Sequence, residues 1–186
     1  MHIILIGYRG TGKSTVGKRL AEKLRIPFYD TDELIEKKVG KSIQEMVAEN
    51  GWIYFRERER EIVREVAGLQ RSIIATGGGA VMDEENADIM KKHGMLIWLN
   101  ADVKTIIERI QGDINSAERR PVFTHDDIFQ ETEDVLKKRI PVYGRLADFS
   151  IDTPGKNIDE IVNDICQFLS RTDKLNGKES ACREVP

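Results

Sequence analysis

The chain has 186 residues, 40% of them hydrophobic and 33% charged, which suits one globular domain with a core that needs no disulfide or metal staple. A formal net charge of −3 gives no reason to expect nucleic-acid binding, so basic residues have to be read one by one. No apolar run approaches the ~20 residues needed to cross a membrane, and two cysteines, Cys166 and Cys182, are too few for a disulfide framework or a metal-ligand cluster.

Residues 2–6 are mostly apolar and predict a first strand, and Gly7-Tyr8-Arg9-Gly10-Thr11-Gly12-Lys13-Ser14 follows at once. That octet fits the phosphate-loop pattern G-x-x-x-x-G-K-[S/T]. Glycines there let successive backbone N–H groups turn inward around anionic oxygens. Lys13 adds a mobile positive charge that follows a phosphoryl group, and the Ser14 hydroxyl is suited to a nucleotide-bound Mg2+. From Thr15 the pattern turns helical, with Val16, Leu20, Ala21 and Leu24 apolar, so a phosphate would also meet a helix N-terminus. An ordinary glycine-rich turn is the weaker reading, because the strand before and the helix after supply the context the motif requires. The run begins with no basic leader, which argues against a signal peptide and makes a reducing cytoplasm the expected compartment.

Phe28-Tyr29 predicts a short second strand that delivers Asp30 and Asp32 to its carboxyl end, the functional edge of an open α/β sheet. An extended backbone would put both carboxylates on one side. Leu34, Ile35 and Val39 fit a helix ended by Gly40; Ser42 caps another, and Gly51 breaks it. A longer helix over residues 52–67 carries Phe55 and Arg56 ahead of the charged run Glu57-Arg58-Glu59-Arg60-Glu61, which reads mostly as a solvated, pair-rich face.

Residues 72–76 predict a third strand running straight into Gly77-Gly78-Gly79, either a flexible connection or a place where a ligand approaches the main chain. A helix over 83–92, a buried strand over 95–99 and a helix capped by Asp102 follow. Residues 111–124 are polar, carry Arg119-Arg120-Pro121 and lack periodicity, and they predict a surface loop long enough to be a lid. A helix over 126–139 stopped by Pro141, a fifth strand over 149–152 and a last helix capped by Asn157 complete the pattern. Cys166 falls on that helix's apolar side as a buried hydrophobe. Beyond Arg171 the pattern dissolves into a tail, residues 171–186, expected to be flexible.

Strands alternating with helices predict an α/β three-layer sandwich with a mostly parallel five-stranded sheet, a phosphate-loop nucleoside triphosphate kinase or hydrolase architecture in a single domain over residues 1–170. The chain lacks a guanine-reading N-K-x-D segment, which favours transfer onto a small molecule over a GTPase switch.

On Asp30-Thr31-Asp32, Phe55-Arg56, Gly77-Gly78-Gly79, Arg120-Pro121 and Arg139-Ile140-Pro141-Val142-Tyr143, in that order over residues 3–169, the sequence resembles the shikimate kinase family. The resemblance implies ATP-dependent phosphorylation of the shikimate 3-hydroxyl, with Mg2+, by a monomer on the route to chorismate and the aromatic amino acids. Lys13, Asp32 and Arg120 would carry catalysis. Gly10, Thr11, Gly12, Lys13, Ser14, Thr15, Arg109 and Arg120 would bind nucleotide, with Arg109 near the adenine or the phosphates. Arg56 and Arg139 would clamp the acceptor carboxylate, a task suited to the planar guanidinium fork. Asp32 would hold the ring hydroxyls, orienting or deprotonating the nucleophile, and with Ser14 would serve the metal; Asp30 would support the loop or metal shell. Phe55 would pack on the ring or simply belong to the core. Glu59 would buttress Arg56, and Gly77, Gly78 and Gly79 would offer backbone N–H groups. The chain departs from the family in having Trp52 where an acidic residue is common, a lid a few residues longer, and Val122-Phe123 in place of a leucine pair. A gluconate or nucleotide kinase and a nonenzymatic nucleotide-binding module are the competing readings.

Overall fold

The first strand shows why the sheet is covered on both sides. In β1 (His2–Ile6), Ile3 and Leu5 enter one apolar cluster while Ile4 and Ile6 enter another, as the two-residue side-chain period of a strand requires. A computed structural model describes residues 1–112 and 125–175 of the chain. Within them β1, β2 (Phe28–Asp30), β3 (Ile73–Ala75), β4 (Gly94–Asn100) and β5 (Phe149–Asp152) form one parallel sheet in the order β2-β3-β1-β4-β5.

One face is covered by α1 (Lys13–Leu24) and α7 (Ile158–Leu175), through Val16 and Leu20 of the first and Ile161, Ile165 and Cys166 of the second. The other face takes α2 (Thr31–Val39), α3 (Ile43–Ala67), α4 (Glu84–His93) and the end of α6 (His125–Leu146), whose Ile35, Phe55, Met90 and Tyr143 pack on Ile4 and Leu96. A smaller cluster of Tyr8, Ala101, Ile106 and Leu136 seats α5 (Val103–Gly112) and α6 beside the phosphate loop. The expected three-layer sandwich is the observed one. Because β1 is central, the loop after it lies at the middle of the sheet's carboxyl edge, where the order reverses and open α/β sheets take their ligands.

Local structure departs from the sequence expectations in four places. The chain does not stay extended through Asp32: β2 ends at Asp30, whose carboxylate caps α2 by accepting the Asp32 and Glu33 N–H groups at 3.0 and 3.4 Å. The two aspartates therefore face different partners. Pro141 does not stop α6, which runs on to Leu146; the deeply buried Tyr143 and the Ala147 N–H bond to the Tyr143 carbonyl (2.9 Å) hold the turn beyond it. Gln111 and Gly112 are the last turn of α5, not loop, and α7 continues past Arg171 to Leu175. At Gly51 the expected break is present: its non-helical φ 79° and ψ 172° divide α3 into two helical arms. Arg119, Arg120 and the rest of the expected lid over 113–124, with Cys182 in the tail, lie outside the described residues.

Candidate active site

The phosphate side of the site is built by the six residues that join β1 to α1 and by the first turn of that helix. Gly10 (φ 74°) and Gly12 (φ 90°) take the left-handed conformations that let the chain close into a loop, and Gly12 leads directly into the first turn of α1. Thr11 Oγ1 and Lys13 Nζ both donate to the Tyr8 carbonyl, at 2.8 and 2.7 Å, which gathers the loop around its own backbone. Lys13 is buried, so its charge sits in the loop and not in bulk water. At the loop's outer edge Arg109 of α5 donates to Thr153 Oγ1 (2.9 Å), to the Thr153 carbonyl (3.2 Å) and, more weakly, to the Gly10 carbonyl (3.5 Å). Its plane is therefore fixed against the end of β5 before any ligand arrives.

Ser14, in the first turn of α1, donates through Oγ to Asp30 Oδ2 at 2.5 Å. A hydroxyl and a carboxylate held together beside a phosphate loop are hard oxygen donors of the kind Mg2+ takes. Among the described residues no group of three or more His, Cys, Asp or Glu side chains forms a cage of its own. That combination fits a cation that keeps most of its shell from nucleotide phosphates and water. The carboxylate on Ser14 is Asp30, two residues before the Asp32 expected to serve the metal with Ser14.

The acceptor side is assembled from four separate elements. Asp32 and Glu59 both abut Gly77: a Cβ on that glycine would lie 2.6 Å from Asp32 Oδ1 and 3.0 Å from Glu59 Oε1. The Gly77 N–H donates to Thr31 Oγ1 at 2.9 Å, which ties the triple-glycine turn to the start of α2. Arg56 donates to Glu59 Oε2 at 2.5 Å, and Glu59 is fully buried, so the ion pair holds the guanidinium in one place. The same guanidinium lies over the Phe55 ring at 5.2 Å and near the Trp52 ring at 5.8 Å. Phe55 itself is buried in the core beneath it, so its ring supports Arg56 from below.

Arg56 reaches Gly79 so closely that a Cβ there would come within 2.7 Å of Nη2. Arg139 of α6 donates to the Gly78 carbonyl at 3.0 Å and stacks over the Tyr8 ring at 5.5 Å. Two guanidinium groups 83 residues apart in sequence, one on α3 and one on α6, thus meet at one glycine turn, next to the phosphate loop. Sequence reasoning missed four contributors: Thr31, Tyr8, Tyr143 and Thr153. Thr31 stood between the two singled-out aspartates and Tyr143 closed the Arg139 motif, but nothing in the pattern told which atoms they would hold.

A phosphate loop on the central strand, a hydroxyl–carboxylate pair at the following helix and a second, cationic cradle alongside define a phosphate-loop kinase of the small-molecule type. A family model described as shikimate kinase matches residues 9–170. A shikimate kinase of Syntrophus aciditrophicus is 48% identical, with 88% of each chain covered, and one of Rhodopirellula baltica is 41% identical, again with 88% of each covered. The fold matches a solved shikimate kinase of Acinetobacter baumannii in complex with shikimate, with a TM-score of 0.86, 32% identity and 94% of each chain covered. The chain belongs to the shikimate kinase family.

Proposed function

We infer that the protein transfers the γ-phosphoryl group of ATP to the 3-hydroxyl of shikimate, giving 3-phosphoshikimate and ADP. The observation that carries this reading is the convergence of Arg56 and Arg139 on the Gly77-Gly78-Gly79 turn beside the phosphate loop. An acid on a hydroxylated ring can be gripped there by two guanidinium forks while one hydroxyl turns toward the phosphates. Asp32 would hold the ring hydroxyls and orient the nucleophile, a role its position against Gly77 supports.

On the donor side Gly10, Thr11, Gly12 and Thr15 contribute backbone to the phosphate cradle, and Arg109 flanks it. Lys13 exchanges its bond to the Tyr8 carbonyl for a phosphate oxygen and follows the transferred group. Ser14, with Asp30 at its hydroxyl, would hold Mg2+, which supplies positive charge to the phosphate oxygens when bound. Arg120 is assigned by resemblance alone: it adds a donor from the lid as water is excluded. Among the described residues both cradles are built from one chain, which supports a monomer, and no helix among them is long and apolar enough to cross a membrane. A monomeric cytoplasmic enzyme drawing on the ATP pool follows from that reading.

Coupled measurement of ADP release with shikimate, gluconate and a nucleoside monophosphate tests it. Turnover is expected with shikimate alone; equal turnover with gluconate, or nucleotide binding without any acceptor-dependent ADP, would overturn it.

A further inference from the structure

The Gly78 carbonyl accepts two hydrogen bonds, and both come from α6. Arg139 Nη1 donates at 3.0 Å and the Tyr143 hydroxyl at 2.5 Å. Tyr143 has little freedom to leave: it is 1% exposed, and its ring packs against Trp98 with centroids 5.8 Å apart. Burial pushes its phenol up to about 12, so it remains a neutral donor at any pH the protein meets.

A trans peptide points its carbonyl and its N–H in opposite directions, and no peptide bond among the described residues is cis. Drawing the Gly78 carbonyl toward α6 therefore turns the Gly79 N–H away from α6. Neither the Gly78 nor the Gly79 N–H donates to any acceptor among the described residues. A donor buried in a folded chain and left with no partner is normally met by something else, water or ligand. Arg56 lies against Gly79, so whatever anionic oxygen it grips is beside that N–H.

We propose that Tyr143 is a positioning residue for the acceptor: its hydroxyl, with Arg139, locks the Gly78–Gly79 peptide so that the Gly79 N–H is presented to an oxygen of the acidic acceptor next to Arg56. The proposal rests on the acceptor reading above. It makes α6 a two-point support, one donor that both pins the turn and faces the acceptor, and one that only pins the turn. Without the phenol, Arg139 alone would have to hold the carbonyl while it also grips the acid.

Tyr143→Phe keeps the ring and removes only the donor. In the substrate-free variant, labelled with 13C and 15N at glycine, the Gly78 carbonyl and Gly79 amide resonances are expected to move. In turnover, KM for shikimate is expected to rise about tenfold, the loss of roughly one well-placed hydrogen bond, with KM for ATP within about twofold. Unmoved glycine resonances, or a KM for ATP that rises in step with that for shikimate, would overturn the proposal. So would a lowered melting temperature with an unchanged shikimate KM, which is what a purely structural tyrosine gives. A wild-type protein indifferent to shikimate would sink the acceptor reading instead, and the substrate-free resonances would still decide whether Tyr143 holds the turn.

Discussion

The two cradles of this site are made in opposite ways. The phosphate cradle is eight consecutive residues whose own backbone does the binding, organised by Thr11 and Lys13 on the Tyr8 carbonyl. The acceptor cradle is made of side chains from α2, α3 and α6 gathered around one glycine turn, with Arg56 fixed by Glu59 and Arg139 fixed by Gly78. A backbone nest tolerates most side-chain changes and fails when its buried lysine is lost. An assembled cradle has several supports, and each should fail in its own measurable way. The contrast also separates observables, because damage to one cradle should leave the affinity of the other largely intact.

The largest effect is expected on the donor side. Lys13→Ala removes the one buried lysine of the loop from the region where charge spreads in the transition state, and kcat should fall by about a thousandfold. Retained turnover in the purified variant would break the comparison at its root. Next come Asp32→Asn and Arg139→Ala, each expected to lower kcat/KM for shikimate by about a hundredfold, since each leaves acceptor groups without a charged partner. ATP affinity measured by calorimetry should stay within about twofold in both; equal loss of ATP and shikimate affinity would show that the cradles are not separable.

Gly79→Ala sharpens the same point with the smallest chemical change. The added methyl would sit 2.7 Å from Arg56 Nη2, too close for both to keep their places. The guanidinium, at the far end of a flexible side chain, has to yield and strains its ion pair with the buried Glu59. KM for shikimate should rise about tenfold and ATP binding should not change. A crystal structure of the variant with Arg56 undisplaced would contradict that account.

The unequal construction explains what could be read from the sequence. A contiguous backbone loop between a strand and a helix writes its signature in one stretch, so Gly7 to Ser14 and the strand–helix alternation were legible without coordinates. Phe55 was not, because the same aromatic at the same spacing serves a core or a ligand; the structure puts it in the core, with the cation on its face. Asp30 and Asp32 were mispaired by assuming extended backbone, when the capping preference of Asp30 starts a helix at Thr31 and sends the two carboxylates to Ser14 and Gly77. Pro141 misled because local propensity was weighed without the burial of Tyr143 two residues on. Long-range partners such as Tyr143 and Gly78, 65 residues apart, leave no local trace.

The smallest effect is expected where neither cradle reaches. His2 opens β1 at the amino edge of the sheet, buried, with Nε2 3.2 Å from the Ala67 carbonyl and Nδ1 2.9 Å from Ser72 Oγ. A carbonyl can only accept, so Nε2 carries the proton and Nδ1 accepts from the serine hydroxyl. Burial holds its pKa below the usual 6.5 despite the bond to Ala67. The unfolded chain then takes up a proton more readily than the folded one, so this stability is complete above 6.5 and is lost as pH falls through the lower folded value. The urea midpoint of the wild type should fall between pH 7.5 and 5 by more than that of His2→Gln, which has no such proton to bind. Both proteins should keep the same KM for ATP and for shikimate at pH 7.5. A shift in either KM would mean that the amino edge of β1 feeds into the cradles through the strand, and that the two halves of the site share a support which their separate construction denies.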